Sequence, residues 1–470
     1  MKTVNKFFFI VTLALLFGTL SACHSTGDIP VITDHQHTYG EWKNVKEATC
    51  LCPGEKHRIC SECKDIQIEM FSATSHDFYD HVCKLCSTEA NEYWYDESET
   101  EFHIGNLEDL RGVAKLVNNG TDFKGKTIIL SNDIDLLYRQ WIPIGTREHP
   151  FRGTFDGNEK TLTNLTINEK TDYEYKGLFG VNEGTIKNLN INNSNIRLAS
   201  GKYVGSVAAL CVGGNITNVK VTENDIFLSG IIDSYIGGLV GAATNNSIIE
   251  GCGISGGTLK IQSGKAKIGG LVGMCDSSIV SHSYVNTEQM ITSKLASYGG
   301  LVGYNVNSDI SNCYVQNKIN AVITISEIGG LIGYNKDSTV ENSYARVDFS
   351  NTRNVIILIE SVNLGDAALR PTKKYIGGLI GQNENSTVSS CFTRGDHFIS
   401  ASETKYGAII AEADDSEVID CYYSGHLSTR GDVIETTGIG ELTTGNLIRE
   451  NEMGWPEEIW SFDTNMPTLK

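Results

Sequence analysis

A five-residue phrase, Gly-Gly-Leu-Val-Gly or its Ile variant, recurs along this chain at almost constant spacing. It stands at residues 237–241, 269–273, 299–303, 329–333 and 377–381, with degenerate copies at 176–180, 205–208 and 407–410. The second positions are 177, 206, 238, 270, 300, 330, 378 and 408, and the steps between them are 29, 32, 32, 30, 30, 48 and 30 residues. A period near thirty that survives one long insertion without losing phase marks a solenoid.

Within each unit three apolar columns follow the glycines. The first is Ile186, Ile216, Ile249, Val280, Ile310, Val340, Val388 and Val418. Three positions on come Leu189, Val219, Cys252, Ser283, Cys313, Ser343, Cys391 and Cys421, and two further on Ile191, Val221, Ile254, Val285, Val315, Ala345, Thr393 and Tyr423. The two-residue step is that of a strand, and the three-residue step implies a bend that returns the chain to the same inner face. The units lack the capped helix-forming runs of a helical hairpin repeat. Stacked as coils of a parallel β-helix, every backbone group pairs with the coil above and below at about 4.8 Å. The paired glycines suit a corner where backbone turns tightly or approaches closely. Asn182, Asn305, Asn335 and Asn383, just past the glycines, read as a ladder in a turn.

The stretch 299–305 followed by 308–314 (Gly-Gly-Leu-Val-Gly-Tyr-Asn, then Ser-Asp-Ile-Ser-Asn-Cys-Tyr) resembles the GLUG repeat of bacterial surface proteins. The lead-in at 126–136, 141–145 and 151–158 matches the usual start of that family. The resemblance covers residues 104–470 and implies an all-β fold, a right-handed parallel β-helix, of the kind carried by adhesins and by accessory regions of larger enzymes. The expected organisation is a signal peptide over 1–22, a linker over 23–36 and a Cys/His-rich module over 37–90. A helical cap with lead-in coils follows over 91–170, then repeats over 171–435 and a C-terminal cap over 436–470.

The caps answer the exposed strand edges of an open β-helix. Asn106 before Leu107, Leu110, Val113, Ala114 and Val117 reads as a capped amphipathic helix. All five tryptophans, Trp42, Trp94, Trp141, Trp455 and Trp460, lie outside 170–440, which places bulky aromatics at the ends.

Lys2 and Lys6 precede an apolar run over 7–20, too short to span a membrane and suited to a secretory signal. It ends in Leu20-Ser-Ala-Cys23, which resembles a bacterial lipobox; by that resemblance Cys23 is lipidated and anchors the mature chain to the membrane of the cell envelope. Net charge is −19, or −21 once Lys2 and Lys6 leave with the first 22 residues, which argues against nucleic acid as a partner.

Six of the thirteen cysteines fall between 50 and 86. Cys60-x2-Cys63 and Cys83-x2-Cys86 have the spacing of a zinc ribbon, a closed structural site of four thiolates. The surroundings also resemble small Cys/His modules repeated in bacterial surface proteins, and in that pattern the set is Cys50, Cys60, Cys63 and His76. Disulfides are the competing reading in an oxidising compartment. The coil cysteines interchange with Ser283 and Ser343 and read as packing residues; Cys391 and Cys421, on adjacent coils, are near enough for a disulfide.

The coil acids fall mostly in turns, where Asp is locally favoured, and no column repeats a carboxylate on consecutive coils. His103, His149, His282, His397 and His426 are scattered, and no His-Glu-x-x-His or Gly-x-Ser-x-Gly is present. A monomeric non-enzymatic scaffold is expected, binding glycan or host matrix through its long side. The alternatives are a structural spacer without ligand and a glycan-active β-helix enzyme. The 48-residue step places an insertion between Phe349 and Tyr375, with a projecting loop over 361–374 carrying Arg370, Lys373 and Lys374 as candidate binding residues.

Overall fold

The computed structural model describes residues 38–48, 54–71, 78–79, 82–83, 90–168, 174–229, 233–261, 265–291, 295–321, 327–348, 374–395, 397–400, 404–424, 427–430, 433–435, 455–462 and 467–470. They belong to two compact units, Met1–Lys43 with His57–Ile68, and Asn44–Lys56 with Glu69–Lys470.

In the first unit, Tyr39 bridges Cys60, and a tight turn follows. The Cys60 amide donates to the Asp65 carbonyl at 2.8 Å and the Lys64 amide to the Cys60 carbonyl at 3.2 Å, with Lys64 at φ 65°. The Arg58 guanidinium sits 5.0 Å from the Tyr39 ring centre and 4.6 Å from that of Trp42.

The second unit contains the solenoid. The coil at 295–321 shows the plan. Its strand Leu295–Gly299 belongs to a nine-stranded sheet and Val302–Val306 to an eight-stranded one, while Asp309–Ser311 and Tyr314–Ala321 join a third sheet of twenty strands. Along these sheets each coil pairs with the next in parallel, and all three sequence columns are in register from the first repeat to the last: Ile310 meets Val340, and Val315 meets Ala345. Register holds across the 48-residue step, where Ile328 pairs with Ile376 and Ile332 with Ile380. The fold is therefore all-β and a parallel solenoid. Among the described residues no helix is long and apolar enough to cross a membrane.

The bend between the first two columns has a distinct backbone. Asn188, Asn218, Gly251, His282, Asn312, Asn342, Ser390 and Asp420 all have positive φ, and each directly precedes its second-column residue. Left-handed backbone turns the chain in one residue, and Asn, Asp and Gly tolerate it best. The repeat glycines act differently: none of the five full copies has positive φ. A Cβ on Gly238 would lie 2.2 Å from the Gly270 carbonyl oxygen, and one on Gly270 2.0 Å from that of Gly300. They are glycine because stacked backbones meet there.

The asparagine ladder is not in a turn. Asn305, Asn335 and Asn383 lie in strands with fully buried side chains, and the left-handed turn positions come two residues later, at Asn307, Asp337 and Asn385. The Asn305 Nδ2 donates to Asn335 Oδ1 at 2.8 Å, and Asn335 Nδ2 to Asn383 Oδ1 at 2.8 Å. Cys211 and Cys275 share this inner column.

In the second column, serine does more than fill space. The Cys313 amide donates to Ser343 Oγ at 3.0 Å while that hydroxyl donates to the Glu341 carbonyl at 2.7 Å. Ser343→Ala orphans the buried Cys313 amide, with an expected loss of about 1–2 kcal/mol in chemical denaturation.

At the N-terminal end, the helix Leu107–Asn118 is present with Asn106 as its N-cap, its side chain accepting from the Asp109 amide at 2.9 Å. Leu107, Leu110, Val113, Ala114 and Val117 are buried in the same hydrophobic cluster as Phe102, Ile104, Ile128 and Leu130 of the first strands. Trp141 is buried here too, its Nε1 donating to the Leu178 carbonyl at 2.9 Å.

The C-terminal tryptophans lie on the flank of the coils. Trp455 and Trp460, with ring centres 4.8 Å apart, cover Tyr314, Tyr344 and Phe392, an outward column on three successive coils. Trp455 Nε1 donates to the Ser390 carbonyl at 2.8 Å, and the Tyr344 hydroxyl donates to the Pro467 carbonyl at 2.7 Å.

Candidate binding surface beside the glycine corner

At the glycine corner the outward faces of the nine- and eight-stranded sheets meet. The third glycine of each phrase shows how closely: a Cβ on Gly273 would lie 2.5 Å from the Ile236 amide nitrogen. Two outward columns therefore pack against each other along the corner.

Their side chains alternate in size. On the nine-stranded side Tyr175, Tyr203 and Tyr235 face Val181, Leu210 and Ala242 of the other sheet, and together they form a satellite apolar cluster with Met274. One coil later Lys267 extends diagonally, its Nζ 5.5 Å from the Tyr304 ring centre. The aromatics then change sides, with Tyr304 and Tyr334 in the eight-stranded sheet beside Ser297 and Glu327 in the other. At the last described coil the same two positions hold Lys405 and Glu412, which form an ion pair.

The tyrosines form two stacked ladders. Ring centres are 5.2 Å apart for Tyr175 and Tyr203, 5.0 Å for Tyr203 and Tyr235, and 4.7 Å for Tyr304 and Tyr334, with interplanar angles of 12° or less. Coil spacing sets these distances. Stacking covers the ring faces, so each ladder presents ring edges and hydroxyls. The Tyr334 hydroxyl donates to Glu384 Oε2 at 2.6 Å, and Glu384 is also paired with Lys336.

Residues 296–320 match the GLUG motif. The matched coil contributes Ser297 and Tyr304 to this corner, and the other coils pair with it or with each other in the same register. No curated protein matches the chain.

Glu327 is the one half-buried carboxylate of the nine-stranded column. Burial pushes its pKa above the ordinary glutamate value, against the opposing Ser297 hydrogen bond, 2.6 Å long, and the Lys267 charge. A raised folded-state value means that stability is fully present below the unfolded pKa and is lost as pH rises through the folded one. Glu327→Gln removes that loss while keeping an acceptor for Ser297. The variant is expected to be more stable than the parent at neutral pH, with the difference vanishing below about pH 4 in pH-dependent denaturation.

The residues singled out from the sequence are distributed differently. Cys60 and Cys63 are brought together by the turn in the first unit, and Cys60 is buried. Cys83 ends the short strand Val82–Cys83, with its side chain outside the described residues, as are Cys23, Cys50, His76 and Cys86 in full. Arg370 and Lys373 also lie outside them. Lys374 opens the strand Lys374–Gly377 and pairs with Thr404, so its backbone belongs to the coil wall, not to a projecting loop. The tyrosine columns were missed in the sequence. Their signal was available, since Tyr304 and Tyr334 occupy one position of the thirty-residue period.

Proposed function

We propose that this chain is a lipid-anchored protein of a bacterial envelope whose solenoid presents its glycine-corner flank to an extended polyhydroxylated ligand, a glycan of the cell surface or host matrix. The supporting observation is the pair of outward tyrosine ladders, whose ring centres repeat every 4.7–5.2 Å, the order of one pyranose unit. Such a row favours many weak hydrogen bonds along a repetitive chain. With the ring faces already stacked, affinity rests on hydroxyls and flanking charges, and no step of bond cleavage is assigned to the surface.

The test is a glycan and matrix-protein array probed with the purified protein, followed by the double change Tyr304→Phe with Tyr334→Phe. Those changes keep the stack and remove two hydroxyls, one of which also bonds Glu384, so weakened binding with only a small fall in the denaturation midpoint is expected. Binding that ignores the change would move the site away from these hydroxyls, and an empty array would favour a spacer without ligand, a reading supported by the same ladders acting only as stacking.

Three further elements belong to this reading. Cys23 carries the lipid, and Cys23→Ala is expected to abolish lipid labelling and release the protein from membranes. Cys60 and Cys63 supply half of a structural zinc site completed by Cys83 and Cys86, or by Cys50 and His76; among the described residues no group of three such ligands is assembled. Zinc in stoichiometric amount by elemental analysis, and loss of far-ultraviolet signal on chelation, are the expected results. Fully disulfide-bonded cysteines without zinc would replace the metal with covalent staples. Arg370, Lys373 and Lys374 are assigned an auxiliary contact with anionic ligand, tested by replacing all three with Gln on the array. The protein acts as a monomer, with its helix packed on the first strands and its C-terminal segment lying along the flank of the coils.

A further inference from the structure

The second inner column has an order that packing alone does not require. Cysteine and serine alternate through Cys252, Ser283, Cys313 and Ser343, and then two cysteines follow on adjacent coils, Cys391 and Cys421. Both are free, and both are buried, at 0% and 3% exposure. The Tyr422 amide donates to the Cys391 carbonyl at 2.9 Å, which fixes the two backbones at coil spacing. Paired parallel strands lie about 4.8 Å apart, inside the Cα separation of roughly 4.4–6.8 Å that a disulfide needs. The left-handed residues Ser390 and Asp420 precede them, so both side chains leave the same bend toward the same interior.

We propose that Cys391 and Cys421 form an inter-coil disulfide that staples the last described coils once the chain meets a disulfide donor outside the cytoplasm. The location rests on the envelope reading above; the pairing rests on geometry. The Cys391 thiol donates to the Ser389 carbonyl at 3.1 Å and the Cys421 thiol to the Ile419 carbonyl at 3.3 Å. The neighbouring Cys391 thiol lowers the Cys421 pKa, whereas burial pushes that of Cys391 well up. Cys421 is therefore the attacking sulfur. Its thiolate attacks the donor disulfide and releases one donor thiolate, giving a mixed disulfide. The Cys391 sulfur, losing its proton to solvent or the released thiolate, then attacks Cys421 Sγ and expels the second donor thiolate. Two protein thiols are oxidised and one donor disulfide is reduced to two thiols. The reaction takes place while the coil is folding, before the interior closes over both sulfurs.

Elsewhere in the column a hydroxyl stands between thiols, and Ala243 separates Cys211 from Cys275 in the opposite column. Wrong inter-coil pairing between neighbours is thereby prevented along the described coils, and only the end of the array is cross-linked.

The full chain is refolded in a glutathione buffer containing both oxidised and reduced forms, alkylated, and digested with trypsin. The digest isolates each sulfur, Cys391 in peptide 375–394 and Cys421 in peptide 406–430. The expected result is a cross-linked pair of these peptides and a thermal midpoint at least about 3 °C above that of the reduced protein. Cys421→Ser, which gives the column the residue it already carries at 283 and 343, should abolish both effects. Two alkylated peptides after refolding would overturn the proposal, as would a cross-link that leaves the midpoint unchanged or lower. A cross-link in buffer that is missing from protein taken from envelopes would retain the pair and count against the envelope location instead.

Discussion

Gly300→Ala will lower the denaturation midpoint of this solenoid sharply. The added Cβ would sit 2.1 Å from the Gly330 carbonyl oxygen and 2.7 Å from Val315 Cγ1. The first obstacle is backbone, and it cannot withdraw, because the Gly300 amide donates to the Gly329 carbonyl and the coils on both sides repeat the contact. Restricting the unfolded chain returns only about 0.4–1 kcal/mol. Overpacking a rigid stack costs about 1–3 kcal/mol or more, so the net loss is expected near ~3 kcal/mol. Gly251 is the contrasting case: its φ is +63° and the nearest atoms to a new Cβ are 3.6 Å away. Asn occupies that bend in four other coils, at Asn188, Asn218, Asn312 and Asn342. Gly251→Asn should be neutral or stabilising in the same assay. Equal losses from the two changes would show that conformational freedom, not close approach, governs the glycine corner.

The second large effect concerns the buried amides. Asn335→Leu removes the middle of the ladder and leaves Asn383 with no side-chain hydrogen bond, because its Nδ2 already has none. Burying an unsatisfied amide group costs about 1–3 kcal/mol, and the variant is expected to lose about 2–4 kcal/mol. Replacing both partners of a buried hydrogen bond is far less costly than replacing one. Asn335→Leu combined with Asn383→Leu should therefore be no less stable than Asn335→Leu alone. A double-mutant cycle with simply additive losses would mean that the ladder is incidental to stability.

Most of the coil was legible in the sequence because one period governs it. The glycine phrase and the three apolar columns gave the register, and the 48-residue step kept phase because the insertion falls between paired strands. What failed was local: asparagine suits both a left-handed turn and a buried ladder, and Asn305 and Asn307 differ by two residues. Only the direction of the strand separates them. The place of Trp455 and Trp460 was hidden for another reason. They return to Tyr344 and Ser390 from a segment outside the repeat, and no period encodes that contact. The corner columns were visible as aromatic positions one period apart, but which face they occupy depends on how two sheets meet. The Cys-rich region was legible only as a spacing, of which the turn at Cys60 and Cys63 is described.

The uneven placement of tryptophan makes the molecule its own optical gauge. Trp42 lies in the first compact unit, Trp94 and Trp141 at the start of the coils, and Trp455 and Trp460 beside the coils near Tyr344, with none in the repeats between. In a one-dimensional array each coil is held mainly by its neighbours, so the two ends need not melt together. Emission from variants retaining only one of these groups would record when each region loses its surroundings. Separate transitions would assign a melting order to the array, and a single shared transition would show that the stack unfolds as one body.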